Sequence, residues 1–293
     1  MNTQIDLHIH TNYSDGTDSE RELLDRLRAE GIKYFSVTDH DTINGAMAVK
    51  KLVTKELIFI PGIEFSCFTS DRGKVHILGY NYDENNNDFL MAISEGQNKR
   101  KRKLEKRLEH LRKDHGIEFS DEDYKYIYAL TSAGKPHLAK LLIKYGYAAE
   151  KKEAIEKYID DKKNKNDITD TRISSKEAVS GILSSGGIPI WAHPLGGINE
   201  KRLNEAEFDA RLKLLIDEGI KGLECWYSLY NKNEVDFLIN KADKNGLLIS
   251  GGSDYHGKNK TVSLGKLNNF GKDILKEELS VAKNFYNAIC KNT

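Results

Sequence analysis

The most informative segment of this chain runs from Asp6 to Thr11 and reads Asp-Leu-His-Ile-His-Thr. Successive side chains of a β-strand point to opposite faces, so Asp6, His8 and His10 share one face. Two imidazoles placed two residues apart on one strand face are able to bind a single metal ion. We expect Asp6, further back, to accept the second ring proton of a ligating histidine. The alternative is a half-buried strand that carries two unrelated histidines.

Several apolar strands further along the chain also end at a histidine or an acid. The residues at these strand ends are Asp39-His40-Asp41, Glu64, His76, His193-Pro194 and Asp254-Tyr255-His256. In a barrel of parallel strands the carboxyl ends converge on one face, where active sites are built. Six of the nine histidines lie at these ends or in the first motif. We therefore expect ligands that are far apart in the chain to meet at one point.

The order of the predicted elements is that of an α/β domain interrupted by a helical insertion. Strands and helices alternate at both ends of the chain, which favours a parallel sheet or a barrel. We predict a barrel domain over residues 1–95 and 188–293, and a helical insertion subdomain over residues 96–187, where no good strand is apparent. The predicted strands are Ile5–His10, Tyr34–Thr38, Leu57–Ile60, Lys74–Tyr80, Gly187–His193, Gly222–Trp226 and Leu247–Ser250.

The composition is that of a soluble globular protein, with 39% hydrophobic and 31% charged residues. The 45 Lys and Arg balance the 45 Asp and Glu, so stable binding to long nucleic acid is not expected. Cys67, Cys225 and Cys290 show no zinc-ribbon or disulfide spacing, which predicts reduced thiols. No signal peptide is apparent, and no apolar run approaches the roughly 20 residues of a membrane span. We expect a cytoplasmic protein without a membrane partner.

As a set, these residues resemble the PHP family, which is named for polymerase and histidinol phosphatase. The resemblance covers roughly residues 1–80 and 188–260 and implies an α/β fold, a distorted (β/α)7 barrel with a trinuclear metal site. The family motifs occur in order as Asp6-His8-His10-Thr11, Thr38-Asp39-His40-Asp41, Pro61-Gly62-Ile63-Glu64, His76, His193-Pro194 and Asp254-Tyr255-His256.

The resemblance also implies three metal positions, with Glu64 bridging two of the ions. The expected ligand sets are His8, His10, Glu64 and Asp254 for the first position, Asp15, His40 and His256 for the second, and Glu64, His76 and His193 for the third. The same nine residues are the candidate catalytic residues. Their mixed nitrogen and oxygen donors suit Mn, Fe or Zn better than Ca or Mg and do not choose among the three. We expect two or three divalent ions.

Three further acids lie close to these motifs in the sequence. Asp39 and Asp41 are interpreted as supporting or helix-capping residues rather than as ligands. Glu224 ends another predicted strand, and a structural role at the barrel rim is as consistent with the sequence as a role in the site. Trp226, Tyr227 and Tyr230 follow it; they could stack on a base, although buried aromatic side chains are the commoner case.

The insertion resembles that of the free-standing phosphoesterases of the family, which include nucleotide phosphatases and 3′,5′-nucleoside bisphosphate phosphatases. Those proteins carry an Arg on a basic helix and an Arg-x-His-x-Ala segment. Arg100 matches the first feature, and the segment that begins at Lys135 and includes His137 matches the second. Lys135 replaces the usual Arg and cannot hold a phosphate bidentately. We predict Arg100, Lys135 and His137 as substrate-binding residues.

The helix that carries Arg100 has an unusual charge pattern. Nine Lys and Arg stand against two Glu between Lys99 and Lys113. Such runs are usually solvated helix faces, and the alternative is a cationic wall that guides a nucleotide into the cleft. Both interpretations hold if Arg100 faces the site while the rest of the run faces water.

The predicted function is hydrolysis of a phosphate monoester by attack of a metal-bound hydroxide. The expected substrate is small and phosphorylated: an AMP-like nucleotide, a 3′,5′-bisphosphate or a short oligonucleotide. Alternatives within the family are a histidinol-phosphate phosphatase and a 5′-exonuclease on short RNA. Outside it, an amidohydrolase would also begin with His-x-His, but the bridging strand-end Lys of that class is missing. A non-catalytic metal-binding protein should lack some of the ligands, and none is missing here.

Overall fold

A computed structural model describes residues 4–161, 171–198 and 200–289 of the protein. Its strands are β1 (Ile5–Ile9), β2 (Tyr34–Val37), β3 (Ile58–Phe68), β4 (Lys74–Tyr80), β5 (Ile173–Ser174), β6 (Ile188–Ala192), β7 (Gly222–Tyr227) and β8 (Leu248–Gly252). The sheet runs in the order β1-β2-β3-β4-β6-β7-β8, and the two-residue β5, which the sequence does not predict, pairs with β3.

The helices pack around this sheet and form the insertion. They are α1 (Glu20–Ala29), α2 (Asn44–Lys50), α3 (Asn87–His115), α4 (Asp121–Ala129), α5 (Lys135–Lys144), α6 (Lys151–Ala154), α7 (Ser175–Ser184), α8 (Glu205–Glu218), α9 (Lys232–Lys244) and α10 (Ser280–Ile289). A π-helical turn at Ile155–Ile159 continues α6, and 3₁₀ turns occupy Gly257–Asn259 and Lys276–Glu278. In the part of the chain that is described, no helix is long and apolar enough to cross a membrane.

The sheet nearly closes because the last strand returns to the first. The backbone N–H of Asp254 donates to the carbonyl of His8 at 2.8 Å, and the N–H of His10 donates to the carbonyl of Tyr255 at 2.8 Å. Gly252 allows this approach, since a Cβ at that position would lie 2.2 Å from the Cβ of His8. The predicted distorted α/β barrel is confirmed. Its closure brings the first motif, at Asp6 to Thr11, next to the last motif, at Asp254 to His256.

One strand runs against the predicted parallel order. β4 is antiparallel to both of its neighbours, β3 and β6, whereas the other strands along the barrel path pair in parallel. β3 is also 11 residues long, because it continues through Pro61-Gly62 instead of ending there. Because β4 runs in the opposite direction, its first residues lie at the edge of the sheet where the parallel strands end. His76 therefore reaches the site from the beginning of its strand, paired with Ser66 and Ala192.

The insertion has a hydrophobic core of its own. Its buried side chains come from the second half of α3 and from the helices that follow, and include Leu104, Leu108, Leu111, Ile127, Leu138, Leu142 and Ile159. The 29-residue helix α3 runs without a break across the predicted boundary at residue 96, and α7 packs on β4 and β6 of the barrel. The boundaries of the two domains stay a prediction. Cys67 and Cys225 are free and buried, and Cys290 lies outside the described residues.

Candidate metal centre

All nine predicted ligands lie together at one mouth of the barrel. Most stand at strand ends: His8 and His10 on or just after β1, His40 after β2, His193 after β6, and Asp254 and His256 after β8. Glu64 lies within β3 and His76 within β4, while Asp15 belongs to the loop before α1. The strands fix where each side chain begins, so the convergence follows from the barrel and not from any local segment.

Glu64 lies at the centre of the cluster. Its Oε1 lies 3.4 Å from His8 Nε2, 2.9 Å from His76 Nδ1 and 3.2 Å from His193 Nε2. Its Oε2 lies 3.2 Å from His10 Nε2 and 2.9 Å from His40 Nδ1. Burial raises the pKa of this carboxyl, but the surrounding imidazoles outweigh burial and hold the pKa well below its usual range. A single ionised carboxylate therefore faces donors on several sides, which is the arrangement that a bridging ligand needs.

The donors fall into groups whose ligating atoms lie within 4.8 Å of one another. Four such groups share members at the barrel mouth: His8-His10-Asp254, His10-Asp15-His40-His256, His40-Glu64-His76 and His76-His193-Glu200. The first two resemble the first two predicted positions. The residues of the predicted third position are divided between the last two groups. The predicted ligand sets stay predictions, since proximity alone does not assign an ion to each set.

Several buried polar atoms in this cluster have no hydrogen-bond partner. They are His8 Nε2, His10 Nε2, Asp15 Oδ1, His40 Nδ1, Glu64 Oε2 and His76 Nε2. A buried polar atom without a partner costs about 1–3 kcal/mol, so an unfilled cluster of six is unfavourable. Divalent cations satisfy imidazole nitrogens and carboxylate oxygens together. The donor set therefore fits metal ions, and burial, which lowers the pKa of His76 to about 4, keeps that imidazole in its neutral, ligating form.

Glu224 orients two of the imidazole donors. Its Oε1 accepts a hydrogen bond from His8 Nδ1 at 2.8 Å, which leaves Nε2 of that ring directed at the centre. Its Oε2 accepts from the backbone N–H of His193 at 2.7 Å. The expectation that Asp6 orients a histidine ring is wrong, because its carboxylate accepts backbone N–H groups of His8, Ser253 and Gly265. Asp6 thus links β1 to the segments that follow β8, and Glu224 orients the His8 ring.

Asp254 is held so that one oxygen faces the donors. Its Oδ2 accepts from Tyr227 Oη at 2.9 Å and from Lys260 Nζ at 2.6 Å. Its Oδ1 lies 3.5 Å from His10 Nε2 and 3.3 Å from His256 Nδ1. Asp254 has φ +59°, a left-handed conformation that L side chains rarely adopt. Backbone strain of this kind persists where the surrounding structure fixes it, typically at functional sites.

Glu200 belongs to the cluster but was not predicted. Its Oε2 lies 3.2 Å from His193 Nδ1. Burial lowers the pKa of His193, but the carboxylates of Glu200 and Glu64 together outweigh burial and raise it to about 10. Glu200 lies in the loop after β6, beyond Gly196-Gly197, and neither strand-end position nor motif spacing marks it. Lys260 was likewise missed, and Tyr227 was considered only for base stacking, because their contacts with Asp254 form only in the folded barrel.

The donor cluster lies at the floor of a cleft of about 1240 Å³ between the barrel and the insertion. Arg100 reaches the cleft from α3, held by Asp41 Oδ2, which accepts from its Nε at 2.8 Å, and by Ser66 Oγ at 2.8 Å. Asp41 therefore supports a predicted substrate residue, and Asp39 holds the loop after β1 through Thr11 and Ser14. Neither acid belongs to any donor group.

The other two predicted substrate residues differ in position. Lys135 lines the cleft, where its ammonium pairs with Asp160. His137 does not line the cleft; its Nδ1 accepts the backbone N–H of Gly134 at 3.0 Å and caps the start of α5. The aromatic residues Trp226, Tyr227 and Tyr230 are buried and also lie outside the cleft lining, so the structure gives no support to base stacking on them.

Two further cations from the basic run of α3 face the cleft. Lys103 and Arg107 line it together with Arg100, at spacings that place them on one helix face. Arg172 joins them from the chain just before β5. Burial, opposed by Asp160 but reinforced by the neighbouring Arg100 and Arg172, lowers the pKa of Arg107 to about 10. The expectation that the rest of the run faces water is wrong for Lys103 and Arg107.

These cations share one property that the sequence did not reveal. Lys103, Arg107 and Arg172 have no hydrogen-bond or ion-pair partner among the residues that the structure describes. Burial and the neighbouring guanidinium groups hold the pKa of Lys103 well below its usual range. Positive groups that crowd together without counterions in a partly closed cleft raise the local affinity for anions.

Comparison with known proteins gives consistent results. The PHP domain model matches residues 6–166. The chain is 30% identical over 278 residues to a 5′-3′ exoribonuclease of Haemophilus influenzae, which covers 91% of this chain and 94% of that protein. It is 28% identical over 260 residues to a 3′,5′-nucleoside bisphosphate phosphatase of Chromobacterium violaceum, with 86% and 87% covered. A crystal structure assigned as a metal-dependent phosphoesterase of Bifidobacterium adolescentis superposes with a TM-score of 0.77 at 25% identity, covering 90% of this chain and 92% of that one.

Proposed function

We propose, from the premise that the chain belongs to the PHP domain family and is a metal-dependent phosphoesterase, that it hydrolyses phosphate esters of nucleotides or short oligonucleotides. The choice of substrate rests on one observation. The cleft that ends at the donor cluster has a wall on the insertion side with the cations Lys103, Arg107 and Arg172, which have no hydrogen-bond or ion-pair partner among the described residues. A substrate with one phosphate at the donors and further negative charge beyond it would satisfy both ends of the cleft.

The residues at the barrel mouth would hold two or three divalent ions, for which Mn, Fe and Zn are the candidates. Such ions supply Lewis-acid chemistry: they generate a nucleophile from water near neutral pH and offset charge on the phosphoryl oxygens. Glu64 and Asp254 would neutralise part of the charge of the ions, and Glu224 would keep His8 in a ligating orientation. Lys260 pairs with Asp254 at 2.6 Å and fixes the orientation of that carboxylate.

Arg100 is the residue best placed to position that phosphate. Asp41 and Ser66 hold its Nε and one terminal nitrogen, so the guanidinium enters the cleft in a fixed orientation. A fixed fork of N–H donors suits a phosphate better than a flexible ammonium does. Lys135, paired with Asp160 and about two-fifths exposed, contributes charge without a fixed geometry. A substrate-binding role for His137 stays a prediction, and its position favours an indirect role through the start of α5.

The charge of the cleft also separates the rival substrates. Histidinol phosphate carries a positively charged amine, which the cations of the insertion wall would repel. A 3′,5′-bisphosphate or a 5′-phosphorylated oligonucleotide presents additional negative charge to the same wall. The similarity to a 5′-3′ exoribonuclease over nearly the whole chain makes short RNA the second candidate.

A substrate panel tests the proposal. The full-length protein is assayed with AMP, adenosine 3′,5′-bisphosphate, 5′-phosphorylated oligoribonucleotides of two to five residues and histidinol phosphate, each with Mn²⁺, Fe²⁺ and Zn²⁺. We expect kcat/KM for the bisphosphate or the oligonucleotides to exceed that for AMP by about tenfold or more, because one charged hydrogen bond contributes about 1.5–3 kcal/mol. Added salt should reduce this advantage. A preference for histidinol phosphate, or equal rates on all substrates, would contradict the proposal.

A further inference from the structure

A second group of metal-type donors lies in the insertion and has no part in the chemistry of the cleft. His110 and His115 stand near the end of α3, and Asp161 follows the π-helical turn. His110 Nε2 lies 2.9 Å from Asp161 Oδ1, and His115 Nε2 lies 3.0 Å from Asp161 Oδ2. The ligating atoms of these three residues lie within 4.8 Å of one another. None of the three lines the cleft.

The protons of His110 distinguish a metal site from a purely hydrogen-bonded cluster. Its Nδ1 lies 2.5 Å from Asp114 Oδ2 while its Nε2 faces Asp161. Ionised carboxylates only accept hydrogen bonds, so hydrogen bonding to both would require a proton on each nitrogen of a ring whose side chain is 0% exposed. A cation bound at Nε2 removes that requirement, because Nδ1–H then donates to Asp114 and the Nε2 lone pair binds the ion.

We propose that His110 Nε2, His115 Nε2 and Asp161 bind one divalent ion of the zinc type, with Asp114 orienting the His110 ring. Two imidazoles and a carboxylate form a ligand set that zinc uses in proteins, with water at the fourth position. A histidine that donates its other ring N–H to a carboxylate is the usual arrangement around such an ion. The two rings are nearly perpendicular, at 88° and 5.1 Å between centroids, so both can direct Nε2 at a point beside the Asp161 carboxylate.

The position of the ion explains what it would do. It joins the last turns of α3 to the chain that leaves the π-helical turn at Ile155–Ile159, two segments that already contact each other. Asp161 directly follows Asp160, which pairs with Lys135 at the cleft wall. The ion therefore stabilises the insertion. It holds the wall of the cleft in position from the side that faces away from the substrate.

Zinc titration of the full-length protein tests the site once the barrel donors are weakened. The double variant His8→Ala/Asp254→Ala weakens the barrel mouth but leaves its other donors in place, so isothermal titration calorimetry with ZnCl₂ should detect a tight equivalent at the insertion in addition to any residual binding at the barrel mouth, and zinc should raise the melting temperature. Adding His115→Ala should remove that equivalent and the shift in melting temperature. Adding Lys113→Ala instead, on an exposed position of the same helix turn, should change neither. Unchanged zinc stoichiometry and affinity after His115→Ala would overturn the proposal, as would the absence of tight zinc binding by the folded double variant.

A milder substitution keeps the test informative if His115→Ala impairs folding. Asp114→Asn retains the size of the side chain but weakens the acceptor for His110, and should reduce zinc affinity about 10–100-fold. Asp217→Asn, at an exposed position of α8, serves as the matched control and should leave affinity unchanged. Circular dichroism establishes that each variant is folded. Equal zinc affinity in Asp114→Asn and Asp217→Asn would argue that Asp114 does not orient a metal ligand and would overturn that part of the proposal.

Discussion

The barrel mouth and the insertion wall face each other across one cleft, yet they are built in opposite ways. At the barrel mouth, buried acids and imidazoles from most of the strands neutralise one another around Glu64, and Glu224 and Tyr227 hold ligands in place. On the insertion wall, Lys103 and Arg107 project from a single helix and have no partner among the described residues.

This difference indicates a division of roles between the two regions. A set of groups that is closely packed and held by strands suits reaction chemistry, because donors must be held within fractions of an ångström. Unpaired charges on a helical wall suit recognition, because they gain most when a charged ligand arrives. Variants of the barrel mouth should therefore abolish turnover, and variants of the wall should change substrate preference.

The largest effect should come from removing a donor of the barrel mouth. Asp254→Ala should lower kcat by about 10³-fold or more, because Lewis-acid stabilisation contributes several kcal/mol and each 1.4 kcal/mol is about a factor of ten. Steady-state phosphatase kinetics at saturating metal measure the effect. Asp217→Ala, on the exposed side of α8, is the control and should behave as wild type. A folded Asp254→Ala protein with nearly normal turnover would remove the barrel mouth from the chemistry.

A smaller loss is expected when a ligand is left in place but loses its support. Glu224→Gln keeps the shape of the side chain while disturbing the hydrogen bond to His8 Nδ1, and should reduce metal affinity or activity about 10–100-fold. Higher metal concentration should restore part of the activity. Metal titrations of the activity compare this variant with Glu109→Gln on the exposed face of α3. An identical metal dependence for the two variants would mean that Glu224 is only a packing residue.

The insertion wall should respond through KM rather than kcat. Arg107→Gln should raise KM for adenosine 3′,5′-bisphosphate about tenfold or more, because a charged hydrogen bond contributes about 1.5–3 kcal/mol, with a much smaller change for AMP. The matched control is Arg102→Gln, which changes an exposed residue on another face of the same helix that does not line the cleft. Equal effects of the two substitutions on both substrates would show that the wall acts only through general charge.

The smallest effect is expected at the exposed ion pair of Lys135. Lys135→Ala should change the free energy of unfolding by no more than about 1 kcal/mol, because exposed ion pairs contribute little. Chemical denaturation measures this quantity. Lys135→Arg, which restores the residue usual in the resembling proteins, should lower KM if the guanidinium reaches the phosphate. An unchanged KM in both variants would separate Lys135 from substrate recognition.

Much of the site could be predicted because its residues lie at positions that the sequence marks. An alternating strand places His8 and His10 on one face, and apolar strands that end in a His or an acid indicate most of the other donors. Asp15 is a candidate only through the resemblance to the PHP family. The direction of β4 was not predictable in this way. His76 was expected at the end of a parallel strand and lies near the start of an antiparallel one, because the register of β4 is set by its neighbours on both sides.

The residues that were missed act through contacts across the fold. Glu224, for which the sequence left a structural role and a role in the site open, contacts His8 across 216 residues of chain. Glu200 and Lys260 contact His193 and Asp254 from a few residues further along the same loops, and no motif spacing marks either contact. Asp6 has the carboxylate that was expected to orient a histidine ring, but this carboxylate accepts hydrogen bonds from backbone N–H groups of the loops after β8. A carboxylate's partner depends on which donors the tertiary structure brings within 3 Å, and sequence spacing does not contain that distance.

The sequence by itself determined the alternation of strands and helices and the basic character of α3, because these depend on residue type and local periodicity, and its motifs together with the family resemblance predicted the nine donors. Only the tertiary structure decided which donor atoms lie within 4.8 Å of one another, which acid orients which imidazole, and that Lys103, Arg107 and Arg172 have no hydrogen-bond or ion-pair partner among the described residues. The physical reason is that coordination, hydrogen bonding and charge pairing act over a few ångströms. Closure of the barrel, together with the packing of the insertion over its mouth, sets those distances.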